Sequence, residues 1–346
     1  MKQSALVLAS GGVDSTVTAH LLKSQGLEVQ GLFLKMTLIP QEEAALEAAR
    51  ALFHRLGLEL IVKDVSERFR QEIVDYFLRS YMSGQTPNCC CICNWEIKMK
   101  TALEVADSLG IPFVATGHYA RVLHCKRPLL LRGQDMGKDQ SYFLHRIEAD
   151  ALKRLILPLG GMTKSQVKGV AKGLGLSAFI HEESQDICFF KGDYRNFLKQ
   201  RLPELQREGK IVSLQGKVLG THGGVGSFTV GQRRGLGIPD ATPYYVVEIR
   251  ADENVVVVGK ERDLLRRTFE VQDINWIVEP RILSSMACRV KIRSRHVAAP
   301  ATLEPLDRAY SRVKVSFETP QKAVTPGQFA VFYKGKAVLG GGRICG

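Results

Sequence analysis

Three observations predict an α/β fold: an N-terminal domain with a mostly parallel sheet, then a small central domain, then a C-terminal β-barrel. Apolar runs alternate with amphipathic stretches through the first half of the chain. The rhythm changes to short β-rich runs after about residue 205, and the first apolar run ends in a glycine turn that opens a helix.

The elements are taken in chain order. ALVLA precedes the amphipathic stretch Ser15 to Lys23, and VQGLFL, Glu42 to Leu56 and LELIVKDV come next. A strand–helix–strand order of this kind builds a parallel sheet whose ligands sit at the carboxyl ends of its strands. Ile97 to Leu109 followed by PFVATGHYARV continues the pattern, and Pro158 to His181 reads as a helix running into a glycine-punctuated loop. Later, VVEI, NVVVVG, RVKIRS and KVSFET, separated by Gly, Pro and Asp, read as antiparallel strands. The cluster ERDLLRRT marks a break, so the expected domains are 1–204, 205–267 and 268–346.

A chain of 346 residues exceeds one ordinary small core, which agrees with that division. With 45% hydrophobic and 24% charged residues it belongs among globular rather than disordered proteins. No apolar stretch approaches the roughly 20 residues that cross a bilayer, so neither a signal peptide nor a membrane anchor is expected. Cys89, Cys90, Cys91 and Cys93 are too crowded to form a disulfide framework, and a reducing cytoplasm is the expected compartment. The formal net charge is +13, and the stretch from Arg262 to Gly346 carries fifteen Lys/Arg against seven Asp/Glu, or +8. Such an excess suits a polyanion at the C-terminal end, although a basic, soluble surface without a partner would look the same.

Ser10, Gly11, Gly12, Val13, Asp14 and Ser15 lie between a strand and a helix, where backbone N–H groups converge on an anion. The turn lacks the Lys of a Walker loop and the third glycine of a dinucleotide fingerprint. SGGVDS resembles the loop of the ATP-pyrophosphatase (PP-loop, adenine nucleotide alpha hydrolase-like) superfamily, which implies ATP binding and adenylation of a substrate oxygen. Ser10 and Ser15 could bond phosphate oxygens, and Asp14 could hold Mg²⁺ against them. A plain tight turn with Ser10 or Asp14 as helix cap is the alternative.

Cys90 and Cys93 have CxxC spacing, and Cys188 lies far away in SQDICFF. A zinc knuckle would need a second such pair, buried structural cysteines are possible for this residue type, and redox or sulfur-transfer chemistry is the third reading. SGGVDS, TPN with CxxCN and Glu96-Ile97-Lys98, ATGHYAR, GQDMGKDQSYFL, SQDICFF, FTVGQRRGLGI, VKIRSR and TPGQFAVFYKGKAVLGGG occur in this order. Together they make the chain resemble the tRNA-specific 2-thiouridylases of the MnmA/TrmU family over nearly its whole length.

The resemblance implies ATP-dependent replacement of the C2 oxygen of the tRNA wobble uridine by sulfur. It implies that Cys188 receives a persulfide from a donor protein and that Cys93 is the second catalytic thiol. ATP contacts would include Leu8 and Ala9 ahead of the loop, the Leu34 backbone and Gly117. Asn88, Cys89 and Cys90 match positions that meet the target base. His118, Lys138, Asp139, Gln140, Arg293, Ser294 and Gln328 match other tRNA contacts. A stacked base must be extruded to reach a buried thiol, and the attacking sulfur must be nucleophilic at neutral pH, as a persulfide or a thiolate beside cations is.

Two departures stand out. The family commonly has Pro where this chain has Cys89, and Cys90 takes a position that varies between Asp and Cys. Cys90, Cys93 and Cys188 could therefore bind a [4Fe–4S] cluster carrying sulfide on an open iron. The segment after Lys35 is shortened, which touches the adenine side. Two rivals remain: a superfamily member that adenylates a small metabolite and needs neither Cys93 nor Cys188, and a non-catalytic tRNA-binding or iron–sulfur scaffold.

Overall fold

The computed structural model describes residues 3–37, 39–176, 187–190, 192–280 and 284–346. In chain order, the first half contains β1 (Ser4–Ala9), α1 (Val13–Ser24), β2 (Glu28–Lys35), α2 (Pro40–Arg55) and β3 (Leu60–Asp64). A π turn at Arg70–Val74 joins α3 (Ser66–Phe69) to α4 (Asp75–Met82). A second π-helical stretch, Asn94–Met99, joins α5 (Cys89–Cys93) to α6 (Lys100–Ser108). Strands β4 (Phe113–Ala115), β5 (Ala120–Leu123), β6 (Leu129–Arg132) and β7 (Leu155–Ile156) come next, then α7 (Lys164–Gly173) and α8 (Tyr194–Arg201).

Strands β3, β2, β1, β4 and β7 form a parallel sheet in that order. Leu6 of β1 is fully buried on one face against Phe69, Ile73 and Ile97, while Ala5 and Val7 face Ala19, Leu22 and Phe53. Burial on both faces is why β1 and β2 read as continuous apolar runs and not as alternating ones.

The stretch PFVATGHYARV is not one strand. It bends after Ala115, and β5 leaves the parallel sheet to form a hairpin with β6. The helix within Pro158 to His181 is α7, and residues 177–186 lie outside the described set.

Strands β8 (Gly209–Ser213), β9 (Val218–His222), β10 (Tyr245–Arg250) and β11 (Val255–Gly259) make a second sheet in the order β10-β11-β8-β9. The expected antiparallel pairing holds for β10 with β11 and β8 with β9, but β11 runs parallel to β8.

The last six strands are β12 (Leu265–Trp276), β13 (Met286–Lys291), β14 (Ala299–Pro305), β15 (Val313–Lys322), β16 (Phe329–Lys334) and β17 (Ala337–Ile344). Each neighbouring pair is antiparallel, and β12 also pairs with β17, so the sheet closes into a six-stranded barrel and leaves few free edges. Inward residues such as Val290, Leu303, Val315 and Phe332 fill it. The β5–β6 hairpin is stitched to the outside of this barrel through Ala337 and Leu131. Among the described residues no helix is long and apolar enough to cross a membrane.

Candidate active site

β1 ends at Ala9 and the chain turns through Ser10, Gly11 and Gly12 into α1. Gly11 sits at φ +72°, and a Cβ there would lie 2.3 Å from the Ala45 carbonyl oxygen, so glycine is what lets α2 close over the turn. Gly12 is the N-cap of α1 and no side chain caps it. Neither Ser10 nor Asp14 has the plain capping role. Ser15 Oγ instead donates to the Gly12 carbonyl at 2.9 Å and accepts from the Ser10 N–H at 3.2 Å. The turn is braced from within, and the first N–H groups and positive dipole end of α1 favour an anion.

A cavity of about 630 Å³ opens at this turn, on the carboxyl ends of β1, β2 and β4. Leu8, Ala9 and Ser10 line it from the first, Phe33 and Leu34 from the second, and Thr116, Gly117 and His118 from the third. Asp14, Ser15, Lys98, Gln140 and Cys188 complete the wall. Gly11, Gly12 and Val13 are not on it; they shape the turn behind it. A Cβ on Gly117 would meet the Asp14 backbone at 3.0 Å, so this glycine keeps the β4 loop tight against α1.

Beyond Lys35 the loop is held by Glu42, whose carboxylate accepts from the Met36 and Thr37 N–H groups at 2.8 and 2.6 Å. A single side chain thus orders the shortened segment beside the cavity.

The Asp14 carboxylate is held by two partners. Lys164 Nζ donates to both its carboxylate oxygens at 2.8 and 2.7 Å, and the Tyr119 hydroxyl donates at 3.0 Å. Both oxygens expected to face Mg²⁺ accept from the Lys164 ammonium in this structure. Lys164 starts α7 and is fixed there by the Thr163–Gln166 capping box.

His118 Nδ1 lies 2.8 Å from Thr116 Oγ1, and burial, reinforced by the Lys98 charge, depresses its pKa to about 3. It is a neutral imidazole at physiological pH.

The cysteine run forms α5, with Asn88 as N-cap. Cys89, Cys91 and Cys93 turn inward and Cys90 is exposed. Cys89 Sγ points at the Ile73 carbonyl and Cys91 Sγ at the Tyr142 carbonyl, each at 4.0 Å. The Cys89 side chain is thus part of the core, and the exposed side chain on this turn is Cys90.

Burial pushes the Cys93 thiol up to about 12, and the nearby Lys98 charge only partly opposes it. The Cys188 thiol is also raised, again by desolvation first, although the residue is exposed on the cavity wall. Lys98 feels Cys93, Cys188 and Cys90, and their combined pull outweighs the desolvation that is the largest single influence on its ammonium, raising its pKa. The four residues share one electrostatic neighbourhood. At rest both expected catalytic sulfurs are thiols, because burial wins over the neighbouring cation.

Two aromatic neighbours anchor Cys188. The Phe189 ring packs edge-on against Phe77 and Phe69 at 5.4 and 5.8 Å, and Phe190 stacks on Phe197 at 5.2 Å. Among the described residues, no three His, Cys, Asp or Glu side chains converge so as to hold a metal ion.

The expected RNA contacts divide. Gln140 lines the cavity and its Oε1 accepts from the Tyr119 N–H at 2.8 Å. Asp139 accepts from the Gly133 and Ser141 N–H groups at 3.1 and 3.0 Å, which is a turn-holding role, while Lys138 is half-buried beside it. Arg293 is exposed and Ser294 half-buried just beyond β13, and Gln328 Nε2 donates to the Thr86 carbonyl at 2.9 Å. These three lie on the barrel, away from the cavity wall.

Sequence reasoning gave no role to Lys98, Thr116, Tyr119 or Lys164. In an α-helix, positions five apart diverge by about 140°, which would place Lys98 off the Cys93 face. The i→i+5 bonding of the π stretch Asn94–Met99 brings them toward one side.

Known proteins resemble the chain along its whole length. The tRNA methyl transferase HUP domain family matches residues 3–192, the tRNA methyl transferase PRC-barrel domain 195–260, and the aminomethyltransferase beta-barrel domain 266–344. The tRNA-specific 2-thiouridylase MnmA of Acidithiobacillus ferrooxidans is 42% identical over 351 residues, covering 99% of both chains. The protein of the same name from Carboxydothermus hydrogenoformans is 41% identical over 358 residues, covering 99% of this chain and 98% of that one. Among solved structures, the U34-tRNA thiolase NcsA from Methanococcus maripaludis, with its [4Fe–4S] cluster, superposes on 60% of this chain and 68% of its own at 17% identity and a TM-score of 0.38, too distant to bear on the site. Identity of the order of the first two over essentially the full length goes beyond shared fold: the chain belongs to the tRNA-specific 2-thiouridylase family.

Proposed function

We propose that this chain binds ATP in the cavity above α1, adenylates the C2 oxygen of the wobble uridine of tRNA and replaces that oxygen by sulfur through Cys188 and Cys93. The observation that carries the reading is one cavity that joins an anion-binding helix start to a cysteine: Ser10, Asp14 and Ser15 share its wall with Cys188. Its volume suits a nucleotide. Leu8, Ala9, Leu34 and Gly117 are the proposed adenine-side contacts, and Gly11, Gly12 and Val13 support the phosphates from behind. Mg²⁺ would accompany the triphosphate on its own oxygens, since Asp14 is engaged by Lys164.

Atoms and electrons balance in three steps. The uridine C2 oxygen attacks the α-phosphorus of ATP, pyrophosphate leaves, and a C2–O–AMP bond forms. A sulfur donor protein has placed a sulfane sulfur on Cys188, and the terminal sulfur of that persulfide attacks C2 as AMP departs. Cys93 then attacks Cys188 Sγ, breaking the old sulfur–sulfur bond, so the base keeps the sulfur and a Cys93–Cys188 disulfide remains. A dithiol reductant returns both to thiols. No step is routed through a cluster.

The basic C-terminal region, +8 from Arg262 onward, supports tRNA as the polyanion, with Arg293, Ser294 and Gln328 as proposed contacts on the barrel and Asn88, Cys90, His118, Lys138 and Gln140 nearer the cavity. The domain division 1–204, 205–267 and 268–346 is part of the same proposal.

Incubating the protein with tRNA, ATP, Mg²⁺ and sulfide, then digesting the tRNA to nucleosides for mass spectrometry, tests it. The expected result is one sulfur-for-oxygen exchange on the wobble uridine, abolished by Cys93→Ser and by Cys188→Ser when a persulfide donor replaces sulfide. Undiminished thiolation in both variants would sink the assignment of the cysteines. Pyrophosphate release with a small metabolite in place of tRNA would sink the substrate.

A further inference from the structure

A second cavity, about 510 Å³, lies on the seam between α4, α5 and the barrel. Three guanidinium groups line it: Arg79 from α4, Arg146 from the connection between β6 and β7, and Arg343 from β17. Only one carboxylate, Asp273, is among its walls, so it carries a local excess of two positive charges. Arg343 is satisfied by Asp273 at 2.7 Å. Arg79 and Arg146 form no ion pair among the described residues, and Arg146 Nε and the Tyr76 hydroxyl are buried with no hydrogen-bond partner.

A buried guanidinium nitrogen and a buried hydroxyl without acceptors are unfavourable in a folded chain. Arg79, Arg146 and Tyr76 all line the cavity, and an acceptor entering it would meet two arginines that no carboxylate pairs among the described residues. Guanidinium forks match the paired oxygens of a phosphate, and a phosphodiester supplies the charge and the several acceptors this wall lacks.

The position of the cavity says where such a phosphate would come from. Ile92, which lines it, immediately precedes Cys93. Phe329, on the opposite wall, immediately follows Gln328. Gln85, a third wall residue, precedes Thr86, whose carbonyl takes the Gln328 amide. The cavity therefore borders the cysteine helix through Ile92 and the barrel through Phe329 and Arg343. We infer that it holds a backbone phosphate of the RNA substrate next to the nucleotide being modified, gripped by Arg79, Arg146 and the Tyr76 hydroxyl. This rests on the tRNA reading given above.

Equilibrium binding of unmodified tRNA across a salt series tests the inference, using wild type, an Arg79→Gln/Arg146→Gln double variant, and a charge-matched Lys168→Gln/Lys172→Gln control on the exposed face of α7. The double variant is expected to lose about tenfold in affinity, and its slope of log K against log salt to become shallower by about 0.7–0.9, the share of one phosphate. ATP binding and the melting temperature should stay at wild-type values, and Tyr76→Phe should lower affinity without changing the slope. Wild-type affinity and slope in the double variant overturn the inference, and so does an equal loss in the lysine control, which would mean bulk charge alone. Tight binding of inorganic phosphate by wild type, together with tRNA affinity indifferent to the two arginines, would assign the cavity to a free phosphate and also overturn it. If wild-type protein itself fails to bind tRNA, the parent reading fails instead.

Discussion

The resting state of Cys93 can be tested by its reactivity toward iodoacetamide as a function of pH. Burial pushes this thiol up to about 12, against an ordinary cysteine value of 9.0. Three units correspond to about a thousandfold less thiolate at neutral pH, or about 4 kcal/mol at 1.36 kcal/mol per unit. The direction is fixed by the charge of the two forms: the thiolate is the ion, burial disfavours the ion, and the proton is therefore held to higher pH. Only the thiolate is alkylated. The rate at Cys93, followed by peptide mass spectrometry, should go on rising about tenfold per pH unit well above the ordinary cysteine value of 9.0. Lys98→Met should slow Cys93 and Cys188 further, since it removes the charge that opposes their desolvation. A Cys93 labelled at neutral pH as fast as free cysteine, or with a rate already flat there, would refute the burial account. It would also imply that a thiolate waits in the resting site.

Three more outcomes rest on particular contacts. Gly11→Ala puts a side chain at φ +72° and 2.3 Å from the Ala45 carbonyl; a strain of at least about 1–2 kcal/mol should displace α2 from the turn and weaken ATP binding about tenfold or more by calorimetry, and unchanged ATP affinity would show that the turn is not the phosphate seat. Phe189→Ala removes the ring that ties Cys188 to Phe69 and Phe77; it should cost about 3 kcal/mol in urea unfolding and remove persulfide-dependent thiolation, and full thiolation would separate the aromatic cluster from Cys188 placement. His145 is wholly buried, with a pKa depressed to about 3 by burial and its Nδ1 2.7 Å from the Tyr142 carbonyl; the unfolded chain takes up a proton below about 6.5 and the folded chain does not. Stability should therefore fall as pH drops from 6.5 toward 3, by up to about 5 kcal/mol from this residue, and His145→Gln should flatten that part of the profile, whereas an unaltered profile would assign the acid loss elsewhere.

Much of this was legible because it depends on local pattern. The runs ALVLA and VQGLFL announce doubly covered strands, and a glycine pair at a strand-to-helix junction announces an anion seat. What was not legible depends on distant partners. Nothing near Tyr119 signals that the chain bends out of the parallel sheet to give the barrel an outer hairpin, because the reward is the pairing of Leu131 with Ala337, far away in sequence. Cys89 and Cys90 are neighbours of the same type, and only tertiary packing against Ile73 decides which faces inward. Asp14 has the chemistry of a metal ligand, but the ammonium of Lys164, on another helix, occupies it. Lys98 is hidden by assuming α-helical periodicity through a π stretch.

The placement of the cysteine helix explains why such a chain needs its barrel for chemistry as well as for grip. α5 borders the arginine-lined cavity through Ile92, and its core contacts continue into the barrel. Cys91 Sγ rests on the Tyr142 carbonyl, the Tyr142 hydroxyl donates to the Phe329 carbonyl of β16 at 3.0 Å, and Asn275 of β12 donates to the His145 and Ile147 carbonyls at 2.8 and 3.0 Å. Each of these groups is buried or nearly so, and leaving any one unpaired would cost about 1–3 kcal/mol. A shift of the barrel relative to the N-terminal sheet must therefore break several bonds at once or carry α5 with it. If an RNA seats in the seam as proposed, it contacts the same packed unit that carries Cys93.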